Sequence, residues 1–352
     1  MGSCRKIIVQ TLAGALAWVS FFIGEHRMRL TPLILLGALM AGCASAPPPA
    51  PVRPATPVAA PAPAPVAALA PADQPSLPKP IYQMKPEEVH TYIAAMHQAE
   101  PDLRKRIAAI GRRNIGQPYV LNLLGEYPYE LHDRLPMFSL ENSDCVVFAE
   151  HSYAMALSKS WEEFFWMLQR IRYKDGVVGV ASRNHYTEVD WNINNGWLVT
   201  DISAELAGPN GPSYAMTVDR ARFLKSRHQT ERSIPVQISR EAYVAKDKIA
   251  AILPQLRDGD FVNVISTRDG AFWASHVGLI VTGPNGERNF LNSAEPQVRE
   301  ESFEEFFART QAREDRNARE GRNGQKLAGF KFLRLNDNIV VPPAAPQPRP
   351  GI

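Results

Sequence analysis

The stretch "GDFVNVISTRDGAFWASHVGLIV", Gly259 to Val281, holds two runs of strand-forming residues around one turn. Val, Ile, Phe and Trp fill both halves and Arg268-Asp269-Gly270 is turn chemistry, so 259–266 and 271–281 are predicted to pair as an antiparallel hairpin. A second turn, "TGPNGE" (282–287), leads into "RNFLNSA" (288–294) and extends the hairpin to a three-stranded meander. His276 interrupts the apolar run of the middle strand, with Val277, Leu279 and Val281 on the opposite face by the two-residue period. A hairpin centred near Pro284 to Gly286 places the residue across from His276 between Asn292 and Glu295. Asn292, the polar side chain of an otherwise apolar strand, can accept an imidazole N–H; Glu295 is the second choice. A structural histidine and a turn asparagine are the plain alternatives.

Upstream, the period changes to that of helices. "KPEEVHTYIAAMHQ" and "EPDLRKRIAAIGRRNIG" space their apolar residues three and four apart, and "SWEEFFWMLQRIRYKDG" opens with Ser160 and Glu163 at capping-box spacing. After the meander, "ESFEEFFART" returns to helix with the same spacing from Ser302 to Glu305. Helices first and an antiparallel meander afterwards make an α+β domain over residues 81–335, long enough for one sizeable core.

Between the early helices lies "NSDCVVFAEHSYAMAL" (142–157). Asn142-Ser143-Asp144 supplies N-cap residue types, and Val147, Phe148, Ala154 and Met155 an apolar face, so Cys145 falls in a first helical turn. A helix N-terminus favours negative charge and lowers a thiol's pKa, the setting of a nucleophile; a small buried hydrophobe is the alternative reading.

The ends of the chain bear on that choice. Residues 1–42 read as a signal peptide, with "MRLTPLILLGALMAGC" complete from Met28, so the true start is expected at Met28. Met40-Ala41-Gly42-Cys43 resembles a lipobox, with Cys43 lipidated. Residues 43–80 then form a linker about one third proline, at ~3 Å per residue on the order of 100 Å long. Residues 336–352 read as a disordered proline-rich tail. Loss of the leader removes Cys4 and leaves Cys145 as the one free thiol of an exported protein, a liability that needs a reason. The leader also takes four basic residues and one acidic one from a chain of net charge +3, so the mature protein is neutral, which argues against nucleic acid as a partner. HExxH and paired-Cys spacings are absent and the histidines are scattered, so neither metal nor cofactor is expected.

The blocks "SDCVVFAEHSYAMAL", "ASRNHYTEVDWNINN", "LRDGDFVNVIST", "ASHVGLIV" and "FLNSAEP", taken in order from Ile107 to Leu335, resemble those of a papain-like family of bacterial cell-wall cysteine amidases. This is the N-acetylmuramoyl-L-alanine amidase-like branch of the NlpC-type superfamily, long catalogued as a domain of unknown function. The resemblance implies a nucleophile at a helix N-terminus packed on an antiparallel sheet that bears the histidine, which carries over to Cys145 and His276. The family's third polar residue, often a histidine before Ala-Ser, falls on Asn292, a departure from the family's pattern. Arg183, His185, Tyr186, Asp190 and Trp191 would line the substrate cleft, with Tyr119 near the nucleophile; a packed aromatic loop and a core tyrosine are the plain readings.

The expected chemistry is acyl transfer by Cys145, His276 and Asn292, with the Cys145 N–H as oxyanion donor. Peptidoglycan is the expected partner, cut at the N-acetylmuramoyl-L-alanine amide by a monomer held through Cys43 at the outer membrane and facing the periplasm. A stem-peptide endopeptidase, a thioester acyltransferase and a non-catalytic wall-binding lipoprotein are the rival readings.

Overall fold

In the computed structural model, which describes residues 79–131 and 133–350, the turn at Asp269-Gly270 sets the register of the sheet. Both residues have positive φ, 53° and 80°, the left-handed pair that matches the twist of a tight hairpin. The strands are β1 Val199–Asp201, β2 Ser213–Val218, β3 Gln237–Ala242, β4 Val244–Ala245, β5 Phe261–Arg268, β6 Ala271–Thr282, β7 Arg288–Ala294, β8 Gln297–Ser302 and β9 Lys326–Leu335. The main sheet has the order β1-β9-β5-β6-β7-β8, with β4 also on β9, and every pairing in it is antiparallel. The meander read from the sequence is its centre. β2 and β3 form a separate two-stranded ribbon.

The main helices are α1 Pro86–Ala99, α2 Leu103–Arg112, α3 Cys145–Leu157, α4 Trp161–Arg172, α5 Arg220–His228 and α6 Phe303–Arg319. Their starts obey local chemistry. Asp102 caps α2 by accepting from the Arg104 and Lys105 amides, Ser160 caps α4 by accepting from Glu163, and Ser302 with Glu305 completes a capping box on α6.

Strand alternation divides the sheet into two apolar faces. Phe261, Val277, Leu279, Leu291 and Leu333 pack with α1 to α4, whereas Val262, Val264, Ile280, Phe290, Phe330 and Phe332 pack with Phe303 and Phe306 of α6. Each fully buried side chain of this size contributes about 1.5–3 kcal/mol. α3 is buried from Val147 to Ala156, so it is the central helix rather than an amphipathic cover.

One terminal expectation changes. Residues after Leu335 were expected to be disordered, yet Ile339 packs on the core and Gln347 clasps the 176–178 backbone: its Nε2 donates to the Gly176 carbonyl (2.6 Å) and its Oε1 accepts from Val178 N–H (3.0 Å). Side-chain amide and backbone partners, invisible in a proline-rich composition, hold it down. The leader, Cys43 and the linker up to Leu77-Pro78 lie outside the described residues. Among the described residues no helix is long and apolar enough to cross a membrane.

Candidate active site

The start of α3 is fixed from both sides. The Asp144 carboxylate accepts from the Val146 (3.0 Å) and Val147 (2.9 Å) amides, so the helix opens at Cys145. One residue earlier, the Ser143 hydroxyl donates to Gln117 Oε1 at 2.8 Å, and the Ser293 hydroxyl of β7 donates to the Ser143 carbonyl at 3.1 Å. The β6–β7 ladder stops at Leu279↔Leu291, and its register would next bring Val277 opposite Ser293. At that opening the α3 terminus enters, with the Val277 backbone N–H placed to oppose the rise of the Cys145 thiol's pKa. The peptide that follows His276 thus faces the sulfur.

His276 Nε2 lies 3.0 Å from Asn292 Oδ1. The two residues are a diagonal pair, since continuing the register sets Asn292 across from Gly278. A Cβ on Gly278 would stand 2.7 Å from the Leu291 carbonyl and 2.9 Å from Asn292 Cβ, so glycine is what lets β7 come this close. The imidazole meets Phe290 edge-on at 5.9 Å. Among the described residues Nδ1 of His276 has no hydrogen-bond partner, and Glu295 makes no bond to the ring, so Asn292 is the acceptor that the strand supplies.

Burial governs the ionisation here. It pushes the Cys145 thiol up to about 12, with the neighbouring Asp144 charge adding to it and the donated N–H groups opposing it. Burial likewise pulls His276 down to about 4, against the Asn292 bond and together with Arg309 and Arg299. Both shifts favour the uncharged thiol and imidazole and oppose the thiolate that a helix N-terminus favours. Desolvation of a full charge exceeds what the half-charge of a helix end returns. The Tyr119 N–H donates to the Pro296 carbonyl at 2.9 Å, and burial chiefly raises its phenol pKa.

The 183–191 block folds differently from the expectation. Thr187–Trp191 forms a single π-helical turn that directs Glu188, Asp190 and Trp191 inward. Trp191 is 1 % exposed, stacks on Phe261 at 4.1 Å and donates to Glu150, so it is a core ring and not a cleft wall. Arg183 is clamped by Glu126 and Asp133, and Asp190 by Arg220 at 2.6 Å, which leaves neither charge for a peptide carboxylate or amine. The His185 Nε2 is 2.7 Å from the Val180 carbonyl, and burial lowers its pKa to about 3; Tyr186 is half-buried edge-on against Phe223. The physical reason is shared: a buried polar group must be paired, and here Arg183 and Asp190 meet opposite charges while Glu188 accepts from the Tyr214 hydroxyl at 3.1 Å and from the Ala274 amide.

A profile described as N-acetylmuramoyl-L-alanine amidase-like (AmiA-like) matches residues 109–311, which hold Cys145, His276 and Asn292. The chain belongs to this amidase-like family. Two crystal structures share its papain-like, NlpC-type α+β fold. One is a Legionella pneumophila protein of the DUF1460 family, 18% identical with a TM-score of 0.59, the match covering 74% of this chain and 98% of that one. The other is an N-acetylmuramoyl-L-alanine amidase from Bacteroides uniformis, 20% identical with a TM-score of 0.50, covering 67% and 99%. No curated protein matches the sequence.

Sequence reasoning missed several members of this amidase-like site. Gln117, Ser143 and Ser293 tie the helix start to the sheet, and Glu301 holds Asn292 Nδ2 at 3.0 Å. Glu301 carried only the signal of preceding a capping box; its inward direction depends on β8 pairing with β7, which composition alone did not reveal.

Proposed function

We propose that the protein is a cysteine amidase of peptidoglycan, with Cys145 as nucleophile, His276 as general base and acid, and Asn292 as the residue that orients the imidazole. The observation that carries the reading is the 3.0 Å His276–Asn292 bond, on a strand whose next N–H faces the Cys145 sulfur. Membership of the amidase-like family supports the bond type, the amide between N-acetylmuramic acid and L-alanine.

The chemistry follows from a neutral pair. As Sγ attacks the carbonyl carbon, the thiol proton passes to His276 Nδ1, so no resting thiolate is needed. The Cys145 N–H, at the open end of α3, faces the developing oxyanion. Collapse expels the amine, which takes the proton from His276, and leaves a thioester. Water then gives a proton to His276 and opens the thioester, and the thiol is restored. A Cys43 lipid anchor at the outer membrane, with the linker giving reach into the periplasm, completes the proposal; the catalytic domain acts as a monomer.

The test is incubation of the domain with purified sacculi and mass analysis of what is released. Free stem peptides beginning with L-alanine are expected, with Cys145→Ala slower by on the order of 10⁴-fold. Equal release by Cys145→Ala would end the cysteine mechanism. Membrane fractionation of the full chain tests the anchor, which a soluble periplasmic protein would contradict.

A further inference from the structure

We infer that Glu301 is a positioning residue: it fixes which way the Asn292 amide points and thereby which nitrogen of His276 serves as the base. The inference rests on the Cys145–His276 reading above.

Asn292 is fully buried, and its amide can satisfy its neighbours in only one orientation. The Nδ2 group donates to Glu301 Oε1 at 3.0 Å and lies 3.3 Å from the Phe290 carbonyl, both of them acceptors with nothing to give. A flipped amide would set its oxygen against a carboxylate and a carbonyl, leaving a buried repulsion and an unmet donor. Glu301 is itself 7 % exposed and held by a two-bond fork from Arg309 of α6, 2.6 Å to Oε1 and 3.1 Å to Oε2. With the amide oxygen locked towards His276 Nε2, that nitrogen must carry the proton. Nδ1 is then the bare nitrogen, ready to take the thiol proton. Without Glu301 the amide could turn, the tautomer would mix, and a fraction of the molecules would present an N–H to the sulfur.

The chain from Arg309 through Glu301 and Asn292 to His276 crosses three neighbouring elements, α6, β8 and β7, before reaching β6. The substitution Glu301→Gln keeps the oxygen that Asn292 uses, whereas Glu301→Leu removes it at similar bulk.

Nitrogen-15 spectra of the imidazoles, with His276 assigned by its loss in His276→Gln, read the tautomer directly. The parent and Glu301→Gln are expected to show Nε2 protonated and Nδ1 bare, and Glu301→Leu a mixture. In the sacculus assay Glu301→Leu is expected to lower kcat about 10-fold at unchanged KM, a part of what a general base contributes, with Glu301→Gln restoring most of it. A parent protein protonated on Nδ1, or a Glu301→Leu protein that keeps the single Nε2–H tautomer, would overturn the inference. The parent spectrum decides even if the leucine variant fails to fold. Cys145→Ala with full activity would instead remove the proposed function and leave the tautomer result standing on its own.

Discussion

Two polar clusters flank the central helix, and they end in opposite states. In the 183–191 segment Arg183 is met by Glu126 and Asp133, Asp190 by Arg220, and Glu188 by the Tyr214 hydroxyl and the Ala274 amide. On β6 and β7, the His276 ring is met among the described residues on one nitrogen, by Asn292, while the Val277 N–H of the next peptide acts to lower the Cys145 pKa. A buried polar group whose hydrogen bonds are fully answered serves the fold; one left with an idle nitrogen is available for the chemistry proposed above. Residue type did not separate the two clusters, since both offer histidine, acid and aromatic side chains in a short stretch.

That contrast can be broken most readily on the structural side. Arg183→Ala would strand Glu126, which is fully buried, and Trp191→Ala would empty a stacked core site; each is expected to cost about 3–5 kcal/mol in denaturant unfolding. The kcat of the protein that remains folded should hardly change. A large loss of kcat with the unfolding midpoint intact would return either residue to the cleft.

Gly278→Ala sharpens the other side. Its Cβ meets backbone at 2.7 Å, so β6 and β7 must separate, at the usual cost of overpacking, about 1–3 kcal/mol. Because Asn292 rides on that spacing, kcat should fall as well, in contrast to Trp191→Ala. An alanine variant with parental kcat and stability would show that the diagonal His276–Asn292 contact does not depend on this approach.

A further effect is a shared one. His276 and His185 are pulled down to about 4 and about 3 from an ordinary value of 6.5, and His151 to about 4, all chiefly by burial. The unfolded chain therefore takes up protons below 6.5 that the folded protein refuses until pH 4 or lower. The stability these residues provide is complete above pH 6.5 and is lost as pH falls towards 4. Urea midpoints measured from pH 7 to 4.5 should decline; a flat profile would mean that these rings are not held neutral.

Much of this was legible before any coordinates. Period and turn chemistry give the central meander, and cap residues give the starts of α3, α4 and α6, because both are local signals. The register of the TGPNGE hairpin brought Asn292 into range of His276 for the same reason. What stayed hidden was non-local: β1 and β9 join the sheet across long intervals, Glu301 reaches Asn292 only through the β7–β8 pairing, and the tail is held by side-chain amide bonds to a distant loop. Trp191 was misplaced because an aromatic next to charges reads as a cleft unless the partners of those charges are known. A helix start is legible in the sequence, but the desolvation that pushes the Cys145 thiol's pKa up is not.

The most direct measurement is the mass of the intact domain, quenched in acid within milliseconds of mixing with a defined muropeptide. An adduct on Cys145 with the mass of the muramoyl sugar acyl group is expected, lost on longer incubation and missing in Cys145→Ala. An adduct carrying the stem-peptide acyl group would move the cleaved bond into the peptide. Turnover with no transient adduct on Cys145, or with one on another residue, would contradict the nucleophile itself.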